Sequence, residues 1–425
     1  YGYDGFGRPA SVTNGSGQVV GYGYNSHCQV STLTYPDGRQ VGRGYDADGQ
    51  LTAVTDWNNR TTGFGYDADH NLTGTTGPNG VTETVGVDAA DEPTTIGVTG
   101  PGGSLAAFGY AYTPSGLVAS TSDSLDPGGN RSLGYSALHQ LTGLGTQGSY
   151  GFDAAGNLTG LPDGSAMSYD SAGQLQTLTP ASGPATSYGF DAVGDRTGTT
   201  VSGTSTASYS YNQASQLTTS NSAGGSATYT YAGDGLRASS TGASGTYGFA
   251  WDSLTASLPL LLSDGGNDYV YGPNDKVIEQ SPAGTDDPTF LSQDRLGSTR
   301  LITDLSGSVV ASTSYDPYGN VTARSGTATS AFGYDGEYTD PSGLIYLRAR
   351  YYDPATGQFL TVDPLADLTR TPYGYAGGNP INNTDPGGLM LVADRGTEYS
   401  GVSGPVTVTM AGRAVHENDL KTFTI

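Results

Sequence analysis

The chain is short of charge, and of positive charge most of all. Charged residues make up 13 % of its 425 positions, against about a quarter in an average soluble domain. There are two lysines, Lys276 and Lys421, and the net charge is -23. A stripe of Lys and Arg able to neutralise phosphates is therefore missing, which excludes DNA and RNA as expected partners of these residues. Cys28 is the single cysteine, so an intrachain disulfide and a cysteine-rich metal site are both excluded. Such avoidance of cysteine suits a protein exported to the cell exterior. No apolar run approaches the ~20 residues that span a bilayer, the best being Leu258 to Leu262. No basic segment of the kind that opens a signal peptide precedes Tyr1, and the chain reads as a piece of a longer one that opens in mid-repeat. Helical periodicity with caps is also absent.

What fills the space is Gly, Thr, Ser and Tyr, the composition of a β surface. Gly 67 and Pro 22 approach the share seen in unstructured sequence, but 30 Tyr residues argue for order. Length alone would predict about two or three domains. A repeat argues instead for one continuous architecture.

Tyr3, Tyr24, Tyr45, Tyr66 and Val87 follow one another at steps of 21, each with Asp or Asn next. Tyr112, Tyr135, Phe152, Tyr169, Phe190, Tyr211 and Tyr231 continue the series at steps of 17 to 25. The unit, as in Tyr45-Asp46-Ala47-Asp48-Gly49-Gln50-Leu51, is aromatic, Asp, two residues, Gly, polar, Leu. It predicts a strand ending on an inward aromatic, a turn capped by the Asp side chain with Gly at positive φ, and a return strand starting at Leu. Runs such as Ala227-Thr228-Tyr229-Thr230-Tyr231 carry the strand period of two. The expectation is a nearly all-β chain of successive hairpins stacked side by side.

This unit resembles the YD (RHS) repeat of bacterial Rhs proteins, insecticidal toxin-complex C components and the teneurin shell. The resemblance covers residues 1–255, with degenerate units between Val87 and Tyr135, and implies a β-hairpin strip spiralling into a hollow shell. A transitional β segment is expected over 256–289. From about Phe290 the sequence changes: Gln293 to Arg300, Tyr315-Asp316-Pro317-Tyr318-Gly319, and the run from Gly343 through Arg350, Asp353, Asp363 and Asp385 to Leu389 resemble the RHS repeat-associated core domain, expected over 290–389 as a closure of the shell.

In that family the core is an aspartyl autoprotease marked by two Asp-Pro-x-Gly boxes. The resemblance makes Asp363 and Asp385, 22 positions apart, the catalytic pair and Leu389-Met390 the bond that is cut. The first box departs from the pattern, with Ala366 where Gly is usual. Two neighbouring carboxylates cannot both ionise cheaply, so one would hold a proton while the other activates water. A scissile bond in the same chain is positioned intramolecularly, for a single turnover. Arg350 is a candidate to hold the pair by a forked contact, and Asp353 is a further acidic candidate. Residues 390–425 would then begin a variable cargo or toxin region, within which Val406 to Met410 alternates like a strand.

Taken singly, Asp-Pro is a turn starter. Asp340-Pro341-Ser342-Gly343-Leu344 copies the box without a partner at the family spacing. Asp46-Ala47-Asp48-Gly49 and Asp67-Ala68-Asp69 lack the remaining ligands of a calcium loop, and His27, His70, His139 and His416 have no metal-ligand spacing, so neither metal nor cofactor is expected. The leading reading is a secreted or cell-surface β-shell that encloses a C-terminal toxin and frees it by self-cleavage, for competition between bacteria. Its partners would be its own cargo, a delivery apparatus and an immunity protein. An adhesion or recognition module is the alternative. A carbohydrate-active β-solenoid is a third, and would need two carboxylates flanking a groove.

Overall fold

The computed structural model describes residues 1–393, and beyond them only the strands Thr409–Met410 and Arg413–Ala414, which pair with each other. Val406 to Val408, the rest of the expected strand, lie outside the described residues. Strands joined by tight turns account for most of the fold, and the one α-helix among the described residues is Ala366–Thr369. Sheets of thirteen, two, eleven, eight and four strands follow one another from Gly2 to Phe359, each with its strands in sequence order. The eight-stranded sheet runs from Ala250 to Gly326. It therefore takes in the segment 256–289 and crosses residue 290 without a break.

One unit shows why the strip forms. Gln40–Tyr45 pairs antiparallel with Leu51–Thr55, with Arg43 opposite Val54 and Gly44 opposite Ala53, but Tyr45 faces Leu51, so the register slips at the tyrosine. Asp46 caps the turn: its Oδ1 accepts the amides of Asp48 and Gln50 at 3.0 and 2.8 Å, and Gly49 sits at φ 87°. The ladder to the next strand begins only at Ala53, which leaves the Leu51 carbonyl beyond its end. Tyr66 of the following repeat donates its hydroxyl to that carbonyl at 2.8 Å. Tyr24 and Tyr45 bond Pro9 and Val30 in the same way, at 2.7 and 2.8 Å, and Tyr211 and Tyr231 bond Arg196 and Leu217. In the last such position Trp251 substitutes its indole N–H, to the Arg237 carbonyl at 2.8 Å.

The strip then returns onto itself. Tyr22 donates to Asp252, Tyr35 to the Tyr269 carbonyl, Asn58 to Asp286 and Asn79 to Thr303, across 230, 234, 228 and 224 residues. This seam is sealed by a core of Val20, Leu33, Val54 and Phe64 against Phe249, Leu261, Tyr269 and Leu291. Glu279 is buried in it beside Arg60, 3.9 Å away, and Asp56. The C-terminal residues pack on the middle of the strip, where Leu217 and Tyr229 join Leu344, Tyr346, Tyr351 and Leu360.

Two outcomes are expected. Tyr66→Phe strips one carbonyl of its partner and should cost about 1 kcal/mol, read as a lower urea midpoint. Burial, reinforced by Asp56 and opposed by Arg60, pushes the Glu279 carboxyl up to about 8. A carboxyl raised on folding contributes full stability below its unfolded value, and that stability is lost as pH rises towards its folded value. The urea midpoint should therefore fall between pH 5 and pH 8, less steeply in Glu279→Gln than in wild type.

Candidate functional site

The site grows from a hairpin in the last third of the chain. Ile345–Leu347 pairs with Arg350–Asp353, Leu347 facing Arg350 across a two-residue turn. Arg350 thus opens the second strand with its side chain buried, its guanidinium carbon 3.6 Å from the centroid of the Phe359 ring. One terminal nitrogen, Nη2, lies 3.5 Å from Asp363 Oδ2 and 3.4 Å from Asp385 Oδ2. Three of the residues singled out in the sequence are therefore in direct contact. Both carboxylates are buried, at 4 % and 3 % exposure.

Asp363 opens the turn of helix Ala366–Thr369. Its Oδ1 accepts the Leu365 amide at 2.7 Å and its Oδ2 the Thr369 hydroxyl at 2.9 Å. Ala366 is helical in this turn and has no positive φ, so the place does not require the usual glycine. The second box does require one. Gly388 has φ 67°, and a Cβ there would stand 2.6 Å from the Leu347 carbonyl oxygen.

Asp385 meets the bond in question. Its Oδ1 accepts the amide of Leu389 at 2.9 Å and that of Met390 at 3.1 Å. Leu389 is half-buried and Met390 exposed, so the Leu389-Met390 peptide lies where the chain leaves the core. Burial pushes the Asp385 carboxyl above its ordinary value, against the pull of Arg350 and the two amides and with the help of Asp363. Such a group holds its proton to higher pH than a solvated Asp.

Asp353 is not brought to this pair. It sits at the far end of its strand, where its Oδ2 binds Arg196 of the strip at 2.7 Å and Thr356 at 3.0 Å. The box at Asp340 is likewise structural, since Arg237 grips both carboxylate oxygens at 2.7 and 2.8 Å in a fully buried fork. Cys28, His70 and His139 stand at the glycine position of their turns with φ of 63°, 70° and 61°. Asp46 and Asp67 accept the amides of their own turns. Thr369 and Gly388 were not singled out in the sequence; Gly388 was legible only as the last letter of its box, and Thr369 carries no signal.

Comparison with known proteins places these features in context. The RHS repeat model matches residues 3–40, 45–82 and 169–206, and the teneurin YD-shell model matches residues 267–380. Among curated relatives, the tRNA3(Ser)-specific nuclease WapA of Bacillus spizizenii is 33 % identical over 139 residues, covering 30 % of this chain and 6 % of the relative. Toxin subunit YenC1 of Yersinia entomophaga is 29 % identical over 138 residues, 31 % of this chain and 14 % of its own. Double-stranded DNA deaminase toxin A of Burkholderia cenocepacia is 31 % identical over 149 residues, 29 % of this chain and 10 % of its own. The chain thus matches only a small part of these relatives' length. The crystal structure of TcdB2-TccC3 superposes with a TM-score of 0.67 at 19 % identity, over 87 % of this chain and 22 % of that one, which establishes a shared fold.

Removing Arg237 should show that the Asp340 box serves packing. Arg237→Ala strands a buried carboxylate and should cost about 3–5 kcal/mol, measured by urea unfolding. The paired change Arg237→Leu with Asp340→Leu should recover most of that loss.

Proposed function

We propose, for a chain that belongs to the RHS/YD-repeat proteins, that it is shell wall and self-cleaving core, enclosing a C-terminal toxin and freeing it by hydrolysis of Leu389-Met390. The observation that carries this reading is the double engagement of Asp385. One oxygen shares Arg350 with Asp363, and the other accepts the Leu389 amide and the Met390 amide, the second of which belongs to the bond to be cut.

The chemistry follows from that placement. Asp363 takes a proton from a water, and the hydroxide attacks the Leu389 carbonyl carbon. Arg350 Nη1, buried and without a hydrogen-bond partner among the described residues, supplies a donor for charge gathering on the carbonyl oxygen. Once the carbonyl carbon is tetrahedral the Met390 nitrogen is pyramidal and basic, and as the carbon–nitrogen bond breaks the Asp385 carboxyl, whose Oδ1 accepts that nitrogen's N–H in the uncut chain, gives its proton to the nitrogen's lone pair. The products are a carboxylate at Leu389 and an amine at Met390, and because the bond belongs to the same chain one turnover completes the task.

The relatives support a toxin as cargo. A tRNA nuclease, a toxin subunit and a DNA deaminase toxin each match about 30 % of the present chain, and in this reading 390–425 begins the cargo. Export, a delivery apparatus and a neutralising immunity partner belong to the same proposal. A surface-recognition role would not call for paired buried carboxylates on a peptide bond.

Intact mass of the purified chain tests this. Wild type should appear as two fragments divided at Leu389-Met390, while Asp363→Asn and Asp385→Asn should each remain whole. A wild-type chain that stays uncut under folding conditions would overturn the cleavage reading.

A further inference from the structure

The turn that leads into Arg350 holds a second arginine. Arg348 sits at φ 60°, the first place of a two-residue hairpin turn, where glycine is the ordinary choice. Backbone strain of this kind persists where surrounding contacts over-determine it, and it collects at functional sites. The contacts are specific. Arg348 Nη1 donates to Glu337 Oε2 and to the Pro386 carbonyl, both at 2.7 Å, and its Nε donates to the Pro259 carbonyl at 3.1 Å.

Pro386 is the first of three residues between Asp385 and Leu389, and all three carbonyls are tied to this one turn. Arg348 Nη1 holds Pro386, the Ala349 amide, shared with the Leu347 carbonyl of its own turn at 2.7 Å, reaches Gly387 at 3.3 Å, and Arg350 Nε donates to Gly388. Two of the three residues are glycines, whose backbone is otherwise free to wander. Three successive donors on three successive carbonyls set the path by which the chain brings Leu389 and Met390 onto Asp385.

We infer that Arg348, anchored by Glu337, is a positioning residue for the cut at Leu389-Met390, aiming the scissile bond at Asp385 through the Pro386 carbonyl. The inference rests on the cleavage reading above. Glu337 is buried, and burial pushes its carboxyl up to about 7, with Arg348 pulling it down and the Asp385 charge adding to the rise. Its charge also acts on the buried Asp335 carboxyl and Tyr271 hydroxyl, holding both groups' values up. The anchor of Arg348 is thus electrostatically joined to the carboxyl beside the scissile bond.

The full chain, made by cell-free synthesis and shifted to buffers from pH 5 to 9, allows the cut to be followed by intact mass, with thermolysin resistance reporting the fold. Arg348→Ala should slow cleavage about tenfold or more, since a small misplacement of reacting groups is costly. Arg348→Lys should restore part of the rate, as one ammonium reaches fewer of the three acceptors. Glu337→Gln keeps a side-chain oxygen for Arg348 Nη1 to donate to and should cut at close to the wild-type rate, whereas Glu337→Ala removes the anchor and should slow cleavage as Arg348→Ala does. Rescue by Arg348→Lys and by Glu337→Gln at unchanged thermolysin resistance is what a purely structural role would not give. If wild type cuts while both Arg348 variants keep its rate, or while Glu337→Ala cuts as fast as wild type, the inference falls. If Arg348→Ala proves sensitive to thermolysin, Arg348→Lys and the Glu337 pair decide. A wild type that does not cut, like Asp385→Asn, would sink the cleavage reading itself.

Discussion

A hydroxyl-to-carbonyl hydrogen bond, repeated from unit to unit, is the constraint on which the strip depends. The slip in register at each tyrosine leaves one carbonyl beyond the end of the next ladder, and the tyrosine of the following repeat reaches it, as Tyr66 reaches Leu51. A half-buried carbonyl without a partner is costly, and each hairpin of a solenoid-like strip takes its backbone partners from its neighbours in the strip. The tyrosine therefore does more than fill the interior; it couples one repeat to the next. Two of the units that lack a hydroxyl are telling. Phe190 packs its ring against Tyr373, 5.8 Å between centroids, and Phe152 lies against Gly378, so there the aromatic faces the C-terminal residues.

In a chain with few charges, the buried arginines mark where the C-terminal part is locked to the strip. Arg196 with Asp353 and Arg237 with Asp340 join positions 157 and 103 residues apart. Buried pairs of this kind are poor sources of net stability but exacting about geometry, because either partner left alone is strongly destabilising. They hold the hairpin of Arg350 in a fixed place against a rigid wall. The catalytic reading needs such a wall, since the two carboxylates and the scissile peptide must meet without help from a substrate's binding energy.

The contrast between the two boxes is conformational. The same first residues, Asp-Pro, start a helical turn at Asp363 and a tight glycine turn at Asp385. The first turn satisfies its own carboxylate through Leu365 and Thr369. The second turns its carboxylate onto the amides of the residues that follow, and the turn at Leu347–Arg350 packs so closely on Gly388 that only a glycine fits.

The repeat, the all-β character and the turn chemistry of Asp46 and Gly49 were legible in the sequence because they are local patterns written at regular spacing, and the resemblance to the core domain singled out Asp363, Asp385 and Arg350 as candidates. The sequence did not separate Asp353 from that group, and it set Asp340 apart only by the lack of a partner at the family spacing, since an Asp before Pro looks alike whether its carboxylate meets Arg196, Arg237 or Arg350. The resemblance implied a spiral, but nothing in the sequence told which residues meet where the strip returns onto itself, some 230 residues apart, or that Arg348 reaches both Glu337 and Pro386. Those contacts join residues far apart in the chain, and only the tertiary structure decides them: a hairpin's turn is set by its own few residues, whereas the partner of a buried charge is set by whichever distant segment the closing of the strip brings within reach.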